Sequence, residues 1–489
     1  MVKDTLKVLF LAPEVVPFAK TGGLADVAGS LPSALHRLGA DVRIGLPYYR
    51  MIKEKGIATR IASERLEVPL GHLILRGDVL ETETEDGLPV YFFEREDLFD
   101  RPNLYGTPEG DYYDNLERFT YFCRAALLFA REVDFDFDVV HCHDWQTGLV
   151  PAYLKTLYKT DSFFSAAVSV FTIHNIGYQG IFPRERLPTC SLPSSELHPG
   201  GIEYWGNISL LKAGIMYSDA ITTVSPKYSR EIQTSEYGMG MEGILHHRRT
   251  FLHGILNGVD YGLWSPQTDT HVPANYSLEK LAGKKRSKEF LIKEMNLDLT
   301  LMNRPVLGMI SRLSAQKGLD LLVQILDEIL ALDLGLVVLG LGDEEIQEAI
   351  QEAADRHSGH MGIKIGFDEP LAHRIMAGAD IFLVPSQYEP CGLTQMYALR
   401  YGTVPVVRAT GGLDDTIVPF DPETGEGNGF KFEPYEAKTL FETIQQAVKL
   451  FNDYRAWKTL MANGMKADFS WDRSAKSYLE LYRSLFKGA

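Results

Sequence analysis

The sequence predicts an α/β protein with two doubly wound, mostly parallel sheets. Both halves of the chain alternate short apolar segments with amphipathic segments of helical spacing. The short segments are continuously apolar, which is typical of strands that are covered on both faces in a parallel sheet. At 489 residues the chain is also longer than one ordinary core. We therefore expect two Rossmann-like domains, with ligands bound beyond the carboxyl ends of the strands.

The N-terminal half begins with a strand, a helix and a second strand. The apolar segment 8–12 ends at Pro13, and the segment 24–38 has apolar residues at helical spacing before Gly39. Further strands are predicted where apolar, β-branched runs end in polar residues, at 41–47, 138–143, 167–174 and 219–225. Because parallel strands share their carboxyl ends, these polar residues are expected to gather at one edge of the sheet.

The C-terminal half repeats this alternation more regularly. Strands are predicted at 305–310, 335–339, 363–366, 380–384 and 403–407. The helices between them are predicted at 319–332, 344–357, 371–377 and 393–401. We expect domains at residues 1–257 and 258–469, with a hinge near 257–265. The final segment, 470–489, is expected to form a helix that packs back on the N-terminal domain.

Composition excludes several classes of partner. The net charge of −16 argues against nucleic-acid or acidic-membrane binding, which requires a basic face. No segment approaches the roughly 18 consecutive apolar residues of a membrane span. The four cysteines have neither CxxC nor metal-ligand spacing and fit a reducing compartment. We therefore predict a cytoplasmic protein without a nucleic-acid or membrane partner, a metal or a cofactor, whose oligomeric state stays open.

A glycine pair marks the junction between the first strand and the first helix. Gly22 and Gly23 at a helix start expose backbone N–H groups, and the helix dipole adds partial positive charge there. Lys20 supplies a full charge at the same place. A plain turn has the same sequence pattern, so phosphate binding and a turn without a ligand both stay open on this motif alone.

Two cations occupy a second strand-to-helix junction. Arg312 offers a planar fork and Lys317 a point charge, a combination that suits a diphosphate. Solvated cations beside a capped helix are the alternative. Glu389 lies before a further predicted helix start, where a carboxylate is unfavourable beside anions unless it faces sugar hydroxyls. Together with His174 and Asn175, it predicts a sugar attached to a nucleoside diphosphate, held in a cleft between the domains.

Other nucleotide sites and nucleophiles are less well supported. No GxxxxGK[ST] loop is present, and no GxGxxG sequence directly follows a predicted strand, which disfavours kinase and dinucleotide chemistry. His141 and His143 alternate along a strand end, but they have no third metal ligand at fixed spacing. Cys391 lies near a predicted helix start, where a thiol can be activated, but a packing or substrate-adjacent thiol is the favoured interpretation.

The chain resembles the glycogen and starch synthase family, whose members use ADP-glucose and have the two-domain GT-B fold. The resemblance spans nearly the whole chain. It rests on motifs that occur in a fixed order: Lys20-Thr21-Gly22-Gly23-Leu24, His143-Asp144-Trp145, Thr172-Ile173-His174-Asn175, Leu256-Asn257-Gly258-Val259-Asp260, Ser311-Arg312-Leu313 with Gln316-Lys317-Gly318, Glu389-Pro390-Cys391-Gly392-Leu393-Thr394-Gln395, and Thr410-Gly411-Gly412-Leu413.

The resemblance implies roles for residues that match these motifs. The N-terminal domain is the acceptor side and the C-terminal domain binds the nucleotide sugar. Arg312 and Lys317 bind the diphosphate, while His174 and Glu389 hold the glucosyl hydroxyls; these four are the implied catalytic residues. The implied substrate-binding residues are Lys20, Gly22, Gly23, Asp26, Asp144, Asn257, Cys391, Gly392, Leu393 and Thr394. Among these, Lys20 contacts ADP-glucose, and Asp26 and Asp144 lie on the acceptor side.

By the same resemblance, the expected activity is transfer of glucose, with retention of configuration, to the non-reducing end of an α-1,4-glucan such as glycogen. Many retaining GT-B enzymes have a second glutamate eight positions after the first, where it grips ribose, whereas this chain has Tyr397. The choice between ADP-glucose and UDP-glucose therefore stays open, as does the choice between front-face transfer and double displacement. Phosphorylase-like chemistry and a non-catalytic glucan-binding protein are the alternative functions.

Overall fold

The computed structural model describes residues 5–486. Contacts between its residues divide the chain into two compact units. The first unit extends to Gly258 and resumes at Trp471, and the second is Val259–Ser470. Each unit contains a largely parallel sheet covered by helices, so the predicted fold class, two Rossmann-like α/β domains, is confirmed.

The first unit is built on a nine-stranded sheet, accompanied by smaller ones. Its strands are β1 (Lys7–Leu11), β2 (Asp41–Pro47), β3 (Arg60–Leu70), β4 (Leu73–Glu83), β5 (Pro89–Phe93), β6 (Gly106–Thr107), β7 (Gly110–Asp111), β8 (Val139–His143), β9 (Val168–Ile173), β10 (Ile181–Pro183), β11 (Glu203–Tyr204), β12 (Asn207–Ser209), β13 (Ala220–Thr223) and β14 (Leu252–Gly254). The large sheet has the order β14-β13-β9-β8-β1-β2-β5-β4-β3, in which the strands from β14 to β5 are parallel and β4 and β3 are antiparallel.

The register of this sheet brings its polar strand ends together. The central strands β1, β8 and β9 are buried along nearly their whole length, as their apolar sequences require. Phe10 of β1 lies opposite His141 of β8, and His143 lies opposite Thr172 of β9. His143 and the loop after β9 therefore lie at the same edge of the sheet.

Helices of the first unit connect these strands. They are α1 (Gly23–Arg37), α2 (Arg50–Glu54), α3 (Glu96–Phe99), α4 (Asn115–Glu132), α5 (Leu149–Lys155), α6 (Leu210–Tyr217), α7 (Pro226–Glu231) and α8 (Glu242–His247). The apolar stripe that predicted α1 is its buried face, including Leu24, Val27, Leu31 and Leu35.

The second unit contains a six-stranded sheet in which all neighbouring strands are parallel. Its strands are β15 (Val306–Ile310), β16 (Gly335–Gly340), β17 (Met361–Ile365), β18 (Ile381–Val384), β19 (Val404–Arg408) and β20 (Phe430–Phe432). The order is β17-β16-β15-β18-β19-β20. The strand order reverses beside β15, and ligands of open α/β sheets bind at such a switch point.

Helices of the second unit connect and flank these strands. They are α9 (Ala282–Glu294), α10 (Leu319–Gln324), α11 (Leu326–Leu330), α12 (Glu344–Arg356), α13 (Glu369–Gly378), α14 (Thr394–Arg400), α15 (Gly411–Thr416), α16 (Ala437–Phe451) and α17 (Tyr454–Lys466). The helix predicted at 319–332 is interrupted, because Ile325 leaves helical geometry with φ −120° and ψ 13°.

The last helix of the described chain, α18 (Trp471–Leu485), packs on α1 in the first unit. Arg37 Nη2 of α1 lies 2.8 Å from Asp472 Oδ1 of α18. Gly258 is required at the approach to this helix, because a Cβ there would lie 2.6 Å from the Trp471 Cα. No helix among residues 5–486 is long and apolar enough to cross a bilayer.

Candidate active site

An internal carboxylate lies at the glycine pair before α1. Glu14 accepts hydrogen bonds from the backbone N–H groups of Thr21 and Gly22, the latter at 3.2 Å, and from the Thr21 hydroxyl at 2.6 Å. The Tyr105 hydroxyl also donates to Glu14, at 2.6 Å. The amides of Gly22 and Gly23 were expected to be exposed to a ligand, but that of Gly22 binds Glu14. Gly23, the first residue of α1, is the remaining position of the pair.

Lys20 is paired within the same segment. Its Nζ lies 2.7 Å from Asp26 Oδ1 in the first turn of α1, and both side chains are partly exposed. A Cβ added at Gly22 would meet no atom within 4 Å, so there is open space beside the motif. Lys20, Gly22, Gly23 and Asp26 therefore form one local cluster, in which the lysine charge is balanced by the aspartate.

Asp144 holds a strained backbone conformation at the end of β8. Its φ is +55°, a region that few residues other than glycine adopt without cost. This geometry directs the carboxylate toward the loop after β9, where Oδ1 accepts the His174 backbone N–H at 2.8 Å. Burial raises the pKa of Asp144 to about 7, and the nearby Glu14 carboxylate raises it further, whereas the amides of His174 and Asn175 oppose the shift.

His174 is the end of a chain of contacting rings. Its Nε2 lies 2.9 Å from Nδ1 of His143, whose ring lies 4.2 Å, centroid to centroid, from that of His141. Nε2 of His141 lies 2.6 Å from the Thr172 hydroxyl, and its Nδ1 lies 2.7 Å from the Tyr482 hydroxyl of α18. The last helix thus contacts the ring system that supports His174.

The environment of these rings indicates their protonation. Desolvation lowers the pKa of His174 and of His141 to about 3, and that of His143 falls well below its ordinary value, also because of burial. All three rings are therefore neutral near pH 7. Nε2 of His143 is buried without a hydrogen-bond partner among residues 5–486. An unpaired acceptor costs less there than an unpaired N–H, so we assign the proton of His143 to Nδ1, which donates to His174.

This assignment determines which nitrogen of His174 can donate. Because its Nε2 accepts from His143, the single proton of the neutral His174 ring is on Nδ1. His174 can therefore offer an N–H to a sugar hydroxyl without carrying charge.

Three residues of this edge were missed by the sequence analysis as site residues: Glu14, Tyr105 and the supporting His143. The sequence did contain a signal for Glu14, because this acidic residue comes shortly after a buried apolar strand. In the structure it is 4% exposed. Burial, followed by the Glu14 carboxylate, raises the pKa of Tyr105 well above its usual value, so this residue remains a hydroxyl donor.

In the second unit, Lys317 and Glu389 form an ion pair between two loops. The loops follow β15 and β18, which are neighbours in the sheet. Lys317 Nζ lies 2.6 Å from Glu389 Oε2, and both side chains are mostly buried. The Ser386 hydroxyl donates to the same oxygen at 2.9 Å. Glu389 Oε1 makes no hydrogen bond with residues 5–486.

Close backbone contact holds these loops together. Gly318 has φ +78°, and a Cβ there would lie 2.2 Å from the Pro385 carbonyl oxygen. The Gln387 N–H donates to the Gln316 carbonyl at 2.9 Å. Only glycine allows this approach, which places Lys317 beside Glu389.

The second glycine pair, Gly411-Gly412, packs against the backbone of the loop that carries Glu389. A Cβ on Gly411 would lie 2.0 Å from the Glu389 carbonyl oxygen, and one on Gly412 would lie 2.0 Å from that of Cys391. The Gly412 N–H donates to the Pro390 carbonyl at 3.1 Å. Close packing therefore explains both glycines without a ligand.

The remaining predicted residues lie near these groups or at the end of the first unit. Arg312 is exposed, and its Nη2 donates to Gln316 Oε1 at 3.0 Å. Cys391 is buried, Gly392 has φ +69°, and Leu393 immediately precedes Thr394, the first residue of α14. Asn257 is buried, and its Oδ1 has no partner among residues 5–486.

Tyr397 lies in a stack of rings. Its ring is parallel to that of Trp264 with centroids 4.0 Å apart, and the other face of Trp264 stacks on His373 at 3.8 Å. Asp269 accepts from His373 at 2.7 Å and anchors the far end of the stack. A glutamate at 397 could not make this contact, which gives a structural reason for the aromatic residue.

Two other features lie apart from these groups. Among residues 5–486, no cluster of three or more His, Cys, Asp and Glu side chains is arranged to hold a metal ion. An open cavity of about 820 Å³ in the first unit lies between the β3–β4 turn at Gly71 and the end of α5 at Lys155. None of the predicted site residues lines it.

Comparisons with known proteins identify the family of the chain. A family model described as the starch synthase catalytic domain matches residues 7–247, and one described as glycosyl transferases group 1 matches residues 295–459. The chain is 48% identical over 480 residues to a glycogen synthase of Geotalea uraniireducens, covering 98% of each protein. It is 46% identical over 477 residues to a glycogen synthase of Koribacter versatilis, again covering 98% of each.

Solved structures give the same result. The catalytic domain of starch synthase IV from Arabidopsis thaliana, bound to ADP and acarbose, is similar with a TM-score of 0.90 and 33% identity over 98% of this chain and 99% of that one. A sucrose-phosphate synthase from Thermosynechococcus elongatus shares the fold, with a TM-score of 0.60 and 18% identity over 99% of this chain and 100% of that one. The chain therefore belongs to the glycogen and starch synthase family of GT-B glycosyltransferases.

Proposed function

We propose that this protein elongates an α-1,4-glucan by transferring glucose from ADP-glucose to the non-reducing end, with retention of configuration. The observation that carries the proposal is the Lys317–Glu389 pair at the carboxyl edge of the second sheet, where the exposed Arg312 also follows β15. Two cations suit a diphosphate, and a carboxylate with one oxygen available suits a sugar hydroxyl. The names of the relatives, and the ADP and acarbose of the starch synthase structure, support the same substrates.

In this proposal the second unit binds the donor. Arg312 and Lys317 neutralise the diphosphate as its charge grows during departure. Glu389 holds the glucosyl ring through Oε1, while Oε2 stays bound to Lys317 and Ser386. Cys391, Gly392, Leu393 and Thr394 supply backbone contacts to the donor from the loop that leads into α14.

Residues of the first unit are proposed to bind sugar hydroxyls and the acceptor. Neutral His174 donates from Nδ1 to a glucosyl hydroxyl, and Asp144 accepts from an acceptor hydroxyl. Lys20 contributes to donor binding, Gly22 and Gly23 leave room beside it, and Asp26 sets the position of its ammonium group. Asn257, whose buried Oδ1 lacks a partner, binds a substrate hydroxyl.

The chemical step needs no covalent intermediate with the protein. The bond between the anomeric carbon and the diphosphate oxygen breaks, and the acceptor hydroxyl attacks from the same face. A diphosphate oxygen takes the acceptor proton, so ADP is both leaving group and base. The protein supplies fixed charges and hydrogen bonds where negative charge develops. No cofactor or metal takes part, and we propose that the reaction takes place in the cytoplasm.

Product analysis tests this proposal. The protein is incubated with glycogen and glucose-labelled ADP-glucose, and the product is digested with an exo-acting β-amylase, which attacks α-1,4 linkages at non-reducing ends. We expect the label to appear in glycogen and to be released as maltose. Label that stays in the resistant core, or label that never enters glycogen, would refute the proposed linkage and site of addition.

A further inference from the structure

A strained hairpin projects a tryptophan from the first unit. β11 and β12 are joined by the two-residue turn Trp205-Gly206, in which both residues have positive φ, +51° and +80°. A turn of this type strongly prefers Asn-Gly or Gly-Gly, because a side chain larger than asparagine crowds the backbone at positive φ. Tryptophan is therefore an unfavourable residue for this position.

The Trp205 ring meets the Tyr204 ring edge-on with centroids 6.4 Å apart, but little else of its surface is packed. The Trp205 side chain is 82% exposed. Such backbone outliers cost free energy and persist mainly where function uses them. A large, exposed and strained aromatic residue therefore indicates a binding surface rather than a structural contact.

The loop before α8 fixes the hairpin from one side. Met239 has φ +49° and is 42% exposed, and Gly240 follows it with φ +86°. The Tyr204 hydroxyl donates to the Met239 carbonyl at 3.4 Å. A Cβ on Gly240 would lie 4.0 Å from the Trp205 indole nitrogen. Met239 and Trp205 are thus neighbours on the surface.

The same loop reaches the residues that follow His174. A Cβ on Gly177 would lie 3.3 Å from the Met239 sulfur, and the Gln179 side chain donates to the Met239 carbonyl at 2.9 Å. The Gly177 N–H in turn donates to Asn175 Oδ1 at 2.9 Å. Tyr178, which lies between Gly177 and Gln179 in the sequence, is 56% exposed. We call the exposed side chains of Tyr178, Met239 and Trp205 the Trp205 patch.

We propose that the Trp205 patch binds the acceptor glucan chain, several sugar units behind the end that is extended. This inference rests on the proposed function, because it assigns a surface to the polymer that this function requires. Aromatic rings and a thioether offer flat, polarisable contacts to the C–H faces of pyranose rings. Glu203 and Asn207 flank the hairpin turn in sequence, which provides polar groups near these contacts for the hydroxyls.

A glucan is favoured over a protein partner by the position of the patch. It continues from the loop whose His174 N–H binds the Asp144 carboxylate, the group proposed to accept from an acceptor hydroxyl. A polymer held at that loop must extend over neighbouring surface, whereas a protein partner has no such reason to bind here. A second copy of this chain or another protein is therefore an outcome that the experiment has to separate.

The test uses Trp205→Asn, because Asn-Gly is the preferred sequence for this turn. We expect this variant to unfold at a higher temperature than the wild type. We also expect its dissociation constant for glycogen, measured by co-sedimentation without any donor, to increase about tenfold. This is a typical effect of removing an aromatic side chain that anchors a ligand. The KM for ADP-glucose should not change. Tyr454→Ala removes another aromatic residue, 80% exposed at the start of α17, and should leave glycogen binding unchanged.

Three results would overturn the proposal. Unchanged glycogen binding by Trp205→Asn would do so, as would an equal loss in the Tyr454→Ala control. A change in oligomeric state by light scattering, with glycogen binding retained, would assign the patch to a protein contact instead. Because binding is measured without donor, loss of glycogen binding by Trp205→Asn, with a wild type that binds glycogen but transfers no glucose, would keep the patch and refute the proposed function. Intact glycogen binding by a Trp205→Asn variant that still transfers glucose would refute the patch and keep the proposed function.

Discussion

The Lys317 ammonium lies 2.6 Å from Glu389 Oε2, although the two residues are 72 positions apart in the chain. The loops that carry them follow adjacent strands and touch at Gly318 and Pro385. Lys317 therefore has two tasks in our account: it fixes one oxygen of Glu389 and it faces the donor diphosphate. Mutations at this pair should affect the chemical step more than substrate binding.

Arg312→Ala and Lys317→Ala are each expected to lower kcat more than they raise the KM for ADP-glucose, because charge on ADP increases toward the transition state. A charge-assisted hydrogen bond contributes about 1.5–3 kcal/mol, so we expect kcat to fall roughly tenfold to a hundredfold. The double variant should lose less than the product of the two effects, since both cations neutralise one diphosphate. Steady-state kinetics with saturating glycogen provides the measurement. An increase in KM with unchanged kcat would show ground-state binding only.

Glu389→Gln is expected to be more active than Glu389→Ala. The amide keeps one acceptor oxygen and the volume of the side chain, so contact with a sugar hydroxyl partly survives. A nucleophilic carboxylate would lose its chemistry in both variants. Mass spectrometry of wild-type protein quenched during turnover should reveal no glucosylated peptide. A Glu389 glucosyl ester, together with equally inactive variants, would establish double displacement.

Much of the fold could be predicted from the sequence because buried parallel strands are continuously apolar. The strands that form the centre of each sheet were identified within a few residues. The antiparallel hairpin of β3 and β4 was missed, because its exposed edge mixes polar and apolar residues without a clear period. The long α4 was missed too, since it is buried on most sides and carries arginines inside the core.

Contacts within the candidate site were less predictable. The motifs pointed to the strand ends, but no pattern showed that Glu14 binds the amides of Thr21 and Gly22. The same limit applies to Gly411 and Gly412, because a glycine needed for close packing and a glycine needed for a ligand look alike in sequence. The series of contacts from Tyr482 through His141 and His143 to His174 depends on tertiary structure alone.

His143→Leu is expected to reduce kcat roughly fivefold to tenfold, which corresponds to loss of one hydrogen bond of about 1 kcal/mol. The reason is that His174 loses the donor that keeps its own proton on Nδ1. His143→Asn can donate from its amide nitrogen at a similar place and should recover much of the activity. Rate constants and circular dichroism are measured for both variants. Equal activity of two folded variants would mean that the His143–His174 contact has no part in catalysis.

Asp144 should give the protein a distinct pH dependence. Its pKa is raised in the folded state, to about 7 from an ordinary 3.8, so the folded protein binds the proton more tightly than the unfolded chain does. Its contribution to stability is therefore present below pH 3.8 and is lost as pH rises to 7. Asp144→Asn should remove this dependence, and asparagine also tolerates the positive φ.

The free energy of unfolding, measured by urea denaturation between pH 4 and 8, checks this prediction. The difference between Asp144→Asn and wild type should increasingly favour the variant as pH rises through this range. A constant difference across the range would place the carboxylate in an unperturbed environment.

The central claim is donor-dependent extension of a glucan, and nucleotide release tests it most directly. Purified protein is given ADP-glucose or UDP-glucose, with and without glycogen, and released nucleoside diphosphate and incorporated glucose are both measured. We expect ADP release that depends on glycogen, with one glucose incorporated for each ADP, and slower release of UDP. Absence of glycogen-dependent ADP release from folded protein, or release without glucose incorporation, would contradict the account.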